Sequence, residues 1–179
     1  MQRTDLYTIT IPPMMKTLRS LSGILDKLAE HAESKQLQWH TKGLQEGNLL
    51  NDKLVFDQFP FIKQVQVACD NGKGGAGRLA GVEAPKMEDS EKTVADLKAR
   101  IEKTLEFMAS IKPEQVIGQE ERTVTLPYWP DKPMTAFGYA TEYLMPNFYF
   151  HVATAYSILR KNGVDVGKMD YLGSVPFLE

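Results

Sequence analysis

Across 179 residues the sequence has one cysteine and three histidines, and no run of about 18 apolar residues. The lone Cys69 cannot form an internal disulfide, which rules out a disulfide-stapled fold and points to the cytoplasm. Without a long apolar run no transmembrane helix is expected, and no membrane partner. The opening MQRTDLYTITIPPMM lacks the apolar stretch and small-residue cleavage site of a secretory signal. Charge of one sign is scarce as well. Lys+Arg 21 against Asp+Glu 23 leaves a net charge of −2, without the concentrated basic surface that nucleic acid would need. Several catalytic signatures are missing, among them Cys-x-x-Cys, His-Glu-x-x-His and the Gly-x-Ser-x-Gly elbow. The glycine-rich NGKGGAG around Gly72 to Gly77 follows no strand and has no Gly-Lys-Ser/Thr ending, so it matches a nucleotide loop only weakly.

What is present is an ordinary globular composition, 42% hydrophobic and 25% charged, of a length suited to one domain, 1–179, with a sizeable core. Met14, Leu18, Leu21, Leu25, Leu28 and Ala32 recur at alternating spacings of 4 and 3, which predicts a first long helix from Pro12 to near Lys35. A second helix begins near Pro60, with Asp57 as its N-cap, and turns Phe61, Ile62, Val65, Cys69, Gly72, Ala76 and Leu79 inward. Gln64 and Gln66 flank that stripe, while Asp70 points away from it. Asp89 or Ser90 caps a third helix with Val94, Leu97, Ile101, Leu105, Met108 and Ile111 inward, ended by Pro113. The period then changes from helical to alternating. Arg122, Val124 and Leu126 form a strand, PYWPDKP the turn and MTAF the returning strand of a small hairpin. Leu144, Phe148, Val152, Ala155 and Leu159 line a last helix, which Pro146 starts or kinks and Asn162 and Gly163 close. Tyr171, Leu172 and Phe177 of the tail are expected to pack on the bundle. The fold class is therefore all-α, a four-helix bundle with a small β-hairpin between its third and fourth helices.

In such bundles, sites are built from inward polar side chains on facing helices. His151 sits at the margin of the last helix's apolar face, and Asn147 lies one turn earlier on the same side. This i, i+4 pair can converge on one ligand or metal, or can simply be a mutually hydrogen-bonded structural pair. His31 reads as a cation at the C-terminal end of the first helix. His40, beside Trp39, has no acid nearby. Cys69 lies within an apolar stripe and reads as buried and inert.

The strings QVQVACDNGKGGAGRLAGVEAP, PNFYFHVATAYSILRKNGV and GKMDYLG, in that order, resemble an uncharacterised bacterial branch of the DinB/YfiT-like four-helix bundles, a domain of unknown function. The likeness covers nearly the whole chain. It implies a helical bundle, often dimeric, with metalloenzyme relatives that include metal-dependent thiol transferases and a thiol-dependent isomerase. It further implies an up, down, down, up helix order, whereas the short Gly81–Asp89 connector by itself favours antiparallel neighbours. The superfamily's metal site resembles three histidines, one on the second helix and two spaced i, i+4 on the last. Here the second helix has none, and the last-helix pair becomes Asn147 and His151. The expectation is a DinB-like bundle of undetermined function with a polar pocket around His151 for a small-molecule ligand. His151, with Asn147, is the candidate catalytic group, and His151 also the residual ligand of a divalent metal such as zinc or nickel. The alternative is a non-catalytic dimeric protein in which the pair is structural. A homodimer is expected from the likeness and from Trp39, Trp129, Tyr139 and Tyr143, which lie outside the helical stripes.

Overall fold

The structure is a computed structural model that describes residues 4–39 and 44–177; His40 and the side chain of Trp39 lie outside what it describes. Helix α1 (Leu6–Trp39) begins a turn and a half before the expected start and holds Pro12 and Pro13 inside it. Asp5 closes its first turn by accepting from the Thr8 amide at 2.8 Å. The prolines remove two backbone donors, but Leu6 and Ile11 are buried and extend the apolar stripe through them. Burial of that face outweighs the local proline rule. Helix α2 (Leu44–Asn51) was not visible as a period, being only 8 residues long. Leu49 and Leu50 anchor it in the core.

Helix α3 (Phe61–Ala80) runs unbroken through the glycine run and ends at Gly81, which adopts the left-handed conformation with φ of 70°. Its first turn follows Pro60, not an Asp57 cap. Close packing explains the glycines. A Cβ on Gly75 would stand 2.5 Å from Leu144 Cδ1, and one on Gly77 would stand 2.8 Å from the Val82 carbonyl. Helix α4 (Val94–Ser110) is capped by Thr93, whose hydroxyl accepts from the Asp96 amide while Asp96 reaches back to the Thr93 amide. Such reciprocal capping satisfies two otherwise orphaned donors; neither Asp89 nor Ser90 serves as the cap.

Strands β1 (Thr123–Leu126) and β2 (Trp129–Thr135) form the antiparallel hairpin, with Val124 opposite Met134 and Leu126 opposite Trp129 around a bulge. The turn is Pro127 and Tyr128, so Trp129 to Pro133 belong to a strand and not to the turn. Among the described residues this strand has no partner on its second side in the two-stranded sheet, which is why it tolerates two prolines. Thr135 then caps α5 (Ala136–Gly138), and a π-helical turn (Tyr139–Leu144) leads without a break into α6 (Met145–Lys161). Pro146 therefore lies within a longer helical run. The Met145 amide bonds to the Ala140 carbonyl five residues back, a wide turn just where proline withholds the next donor. Helix α7 (Lys168–Leu172) lies against α1, with Lys27 bonded to Asp170 at 2.8 Å. Tyr171 packs edge-on to Tyr156, whereas Phe177 is 83% exposed and does not join the bundle.

Cross-helix pairs fix the topology. Asp26 of α1 meets Lys98 of α4 and Leu18 faces the Gly72–Met108 contact, so α1 and α4 are antiparallel. Gln64 meets His151 and Gly75 meets Leu144, so α3 and α6 are antiparallel. Asp70 meets Arg100 and Gly72 approaches Thr104 and Met108, so α3 and α4 are parallel. The order is up, down, down, up. The connector Gly81–Thr93 returns along the outside of α3, bringing Asp89 back to Lys63 and Glu91 back to Gln66. The antiparallel placement favoured by connector length is thus corrected.

Candidate functional site

The α3–α6 packing carries a polar seam within a largely apolar core. Gln64, Asn71 and Arg78 follow one another at seven-residue intervals on α3, two helical turns apart and so on one face. Each meets a polar group across the interface. Gln64 Oε1 lies 2.7 Å from His151 Nδ1, Asn71 Oδ1 accepts from Asn147 Nδ2 at 3.3 Å, and Arg78 Nη1 lies 3.5 Å from the Tyr139 hydroxyl.

The expected mutual pair, Asn147 with His151, is therefore resolved into two cross-helix pairs. Both side chains lie at the seam, but each turns to a different amide of α3. No hydrogen bond joins them among the described residues. Asn71 escaped sequence reading, although its place seven residues after Gln64 on the same face is the signal that finds it. Gln64 is 1% exposed and Gln66 is 4% exposed, so both flanking glutamines reach the interior.

Hydrogen bonding fixes the state of His151. The Gln64 amide nitrogen donates to the Phe59 carbonyl at 3.0 Å. A carbonyl only accepts, so Gln64 presents its oxygen to the imidazole, and Nδ1 carries the proton in the neutral ring. Nε2 is then the acceptor. Burial lowers the His151 pKa from its ordinary 6.5, and burial is the sole cause acting on it. A neutral imidazole held by an uncharged amide can accept a hydrogen bond through Nε2 or take up a proton there.

These groups do not fit the metal implied by the resemblance. His151 is the single imidazole of the seam, its Nδ1 is engaged by Gln64, and Gln64, Asn71 and Asn147 offer amide groups in place of the nitrogens and thiolates that zinc or nickel prefers. Among the described residues no three His, Cys, Asp or Glu side chains gather to hold a metal ion.

A second cluster was missed altogether. Arg100 of α4, its side chain 1% exposed, binds Asp70 at 2.8 Å, Asp89 at 3.1 Å and Glu91 at 2.9 Å, and donates to the Glu88 carbonyl. Glu91 also accepts from Gln66 at 2.8 Å. The guanidinium ties the returning connector to α3 and α4, and beside it lies a cleft of about 630 Å³ between connector and α4. The signal was there: Arg100 falls between Leu97 and Thr104 on the buried face. Asp70, expected to point away from the stripe toward solvent or a neighbouring loop, does so: its side chain is 41% exposed and reaches this cluster at the connector. Cys69, next to it in α3, is buried as expected, and burial pushes its thiol up to about 12.

The aromatic residues expected at a dimer surface divide. Tyr139 is buried and Tyr143 partly so, with its hydroxyl 2.6 Å from that of Tyr128, while Trp129 stays 42% exposed. His31 is partly buried on α1, eight residues before its last residue, and so does not cap it. No helix among the described residues is long and apolar enough to cross a membrane.

Residues 6–172 match the family described as a domain of unknown function, DUF1993. Among solved structures, the chain is similar to a DinB family member protein from Shewanella denitrificans, at 40% identity over 97% of this chain and 95% of that one, with a TM-score of 0.88. No curated protein matches.

Proposed function

The chain belongs to the DUF1993 family and has the DinB-like bundle fold; since that membership supplies no activity, we propose from the geometry that the α3–α6 seam binds a small molecule through His151, Asn71 and Asn147. One observation carries the reading. Asn71 Nδ2 is buried without a hydrogen-bond partner among the described residues, and Asn71 bonds to Asn147, which lies one turn from His151 on α6. Turning the amide over would only exchange which of its two ends lacks a partner. Buried amide groups are nearly always satisfied, so an unpaired donor in this seam suits an added ligand. Asn147, partly buried at the seam's edge, is the side chain that turns aside to admit it.

The test is a mixture of small fragments titrated into the isotopically labelled full chain. Fragments that move the His151 ring and the Asn71 and Asn147 side-chain amide signals support the site. If no fragment moves them, the seam is a structural layer that fixes how α3 and α6 register.

We also propose a homodimer and a cytoplasmic location. Support for the dimer is the hairpin's aromatic surface, where Tyr128, Trp129 and Phe137 are all exposed, a pattern typical of partner surfaces. Light scattering at high micromolar concentration should give twice the 20.2 kDa chain mass.

A further inference from the structure

We propose that the ligand of the His151 seam is an uncharged molecule with an aromatic or compact apolar body and a hydroxyl or similar donor at its head, a benzyl-alcohol-like shape. This rests on the seam being a binding site and goes on to name what it takes.

Charge is the first ground. The α3 side chains bonded to His151 and Asn147 are amides, whereas Lys63 and Asp70 of α3 turn to other partners, Asp89 and Arg100. Arg78, the seam's single ion, lies seven residues beyond Asn71 and faces Tyr139. No charged group contributes to the His151 titration. An ionised head group would lose its water here with no countercharge to replace it, a large penalty for any buried ion. A neutral donor meets Nε2 at no such cost.

The exposed phenylalanines supply the second ground. Phe150 is 53% exposed and its ring stands edge-to-face with the His151 imidazole, centroids 5.2 Å apart. Phe59, whose carbonyl holds Gln64, is also 53% exposed, and Phe56 three residues earlier is 89% exposed. Phenylalanine has no polar handle, so a ring left this open against the His151 imidazole favours an apolar body over a sugar-like or ionic one. A hydrogen-bonding head against His151 and an aromatic body against Phe150 and Phe59 use both features at once.

The decisive experiment titrates the full chain with benzyl alcohol, benzoate and benzylammonium while following the His151 ring nitrogens by magnetic resonance. With three histidines in the chain, a His151→Gln variant assigns the signal. Benzyl alcohol should shift Nε2 saturably and bind at least about ten-fold tighter than either ion, and Phe150→Ala, a change at an exposed position, should weaken it several-fold with the helical circular dichroism unchanged. An ion that binds as tightly as the alcohol while moving the same nitrogen overturns the neutral-ligand inference and leaves the binding site standing. If none of the three moves His151, the inference also falls, and the broader fragment titration then decides separately whether the seam binds anything.

Discussion

His151 Nδ1 and Gln64 Oε1 meet at 2.7 Å across 87 residues of sequence, and the Phe59 carbonyl holds Gln64 in turn. Removing either partner leaves the other buried and unpaired, at a cost of roughly 1 to 3 kcal/mol. A double-mutant cycle of Gln64→Ala and His151→Ala, read by urea unfolding, should therefore show coupling of at least about 0.5 kcal/mol. The parallel cycle of Asn147→Ala and His151→Ala should show less, because those residues share no hydrogen bond. Equal coupling in both cycles would contradict the two-pair arrangement.

The buried imidazole also makes stability depend on pH. In the folded chain His151 titrates below its ordinary 6.5, so as pH falls the unfolded chain takes up this proton first. The unfolded state then binds more protons, and stability rises with pH through that window. His151's contribution is fully present above about 6.5 and is lost as pH drops toward the lowered folded value. Urea midpoints at about pH 7.5 and pH 5.5 should differ less in His151→Gln than in the natural sequence.

Arg100 predicts an order of effects. Losing the guanidinium leaves three carboxylates facing one another, and Arg100→Met should cost about 2 to 4 kcal/mol, less than a wholly buried cluster because solvent screens part of it. Side chains of Asp70 and Asp89 are 41% and 38% exposed, against 10% for Glu91. Glu91→Gln should accordingly destabilise more than Asp70→Asn, as urea unfolding would show. Arg100→Lys should not restore the cluster, since an ammonium lacks the planar fork that serves several carboxylates.

Cys69 offers a kinetic check. With its thiol pushed up to about 12 and wholly buried, it should react with a water-soluble thiol reagent slowly in the native protein and rapidly in urea. Rapid native labelling would show that α3 opens locally at the Arg100 cluster.

Much of this was legible in sequence where one face of one helix decided it. Every residue of the first stripe, Met14 through Ala32, is buried, as are Phe148, Val152, Ala155 and Leu159, because a 3.6-residue period directly reports which face meets a core. The hairpin's Val124 and Leu126 are buried for the same reason at period two. Elsewhere the deciding partner was remote. Pro12 reads locally as a helix start, and only the burial of Leu6 and Ile11 carries α1 through it. The connector's length permits two placements, and the choice depends on Arg100 meeting Asp70 thirty residues away. At the seam, the spacing of Asn147 and His151 was correct but their partners were not, since a helical wheel shows which residues share a face and not what the opposing helix offers them.

The up, down, down, up order sets the sequence of events when the chain folds. Asp26 and Lys98 are 72 residues apart, and Gln64 and His151 are 87 apart, so the main helix pairings close long loops before their contacts can form. Distant pairings of this kind slow folding relative to a meander of neighbouring helices. In synthesis the cost falls on α1 and α3. Both are complete before the ribosome has made α4 and α6, which cover their flanks, and until then two apolar faces wait in the nascent chain with only each other and the short α2 for shelter.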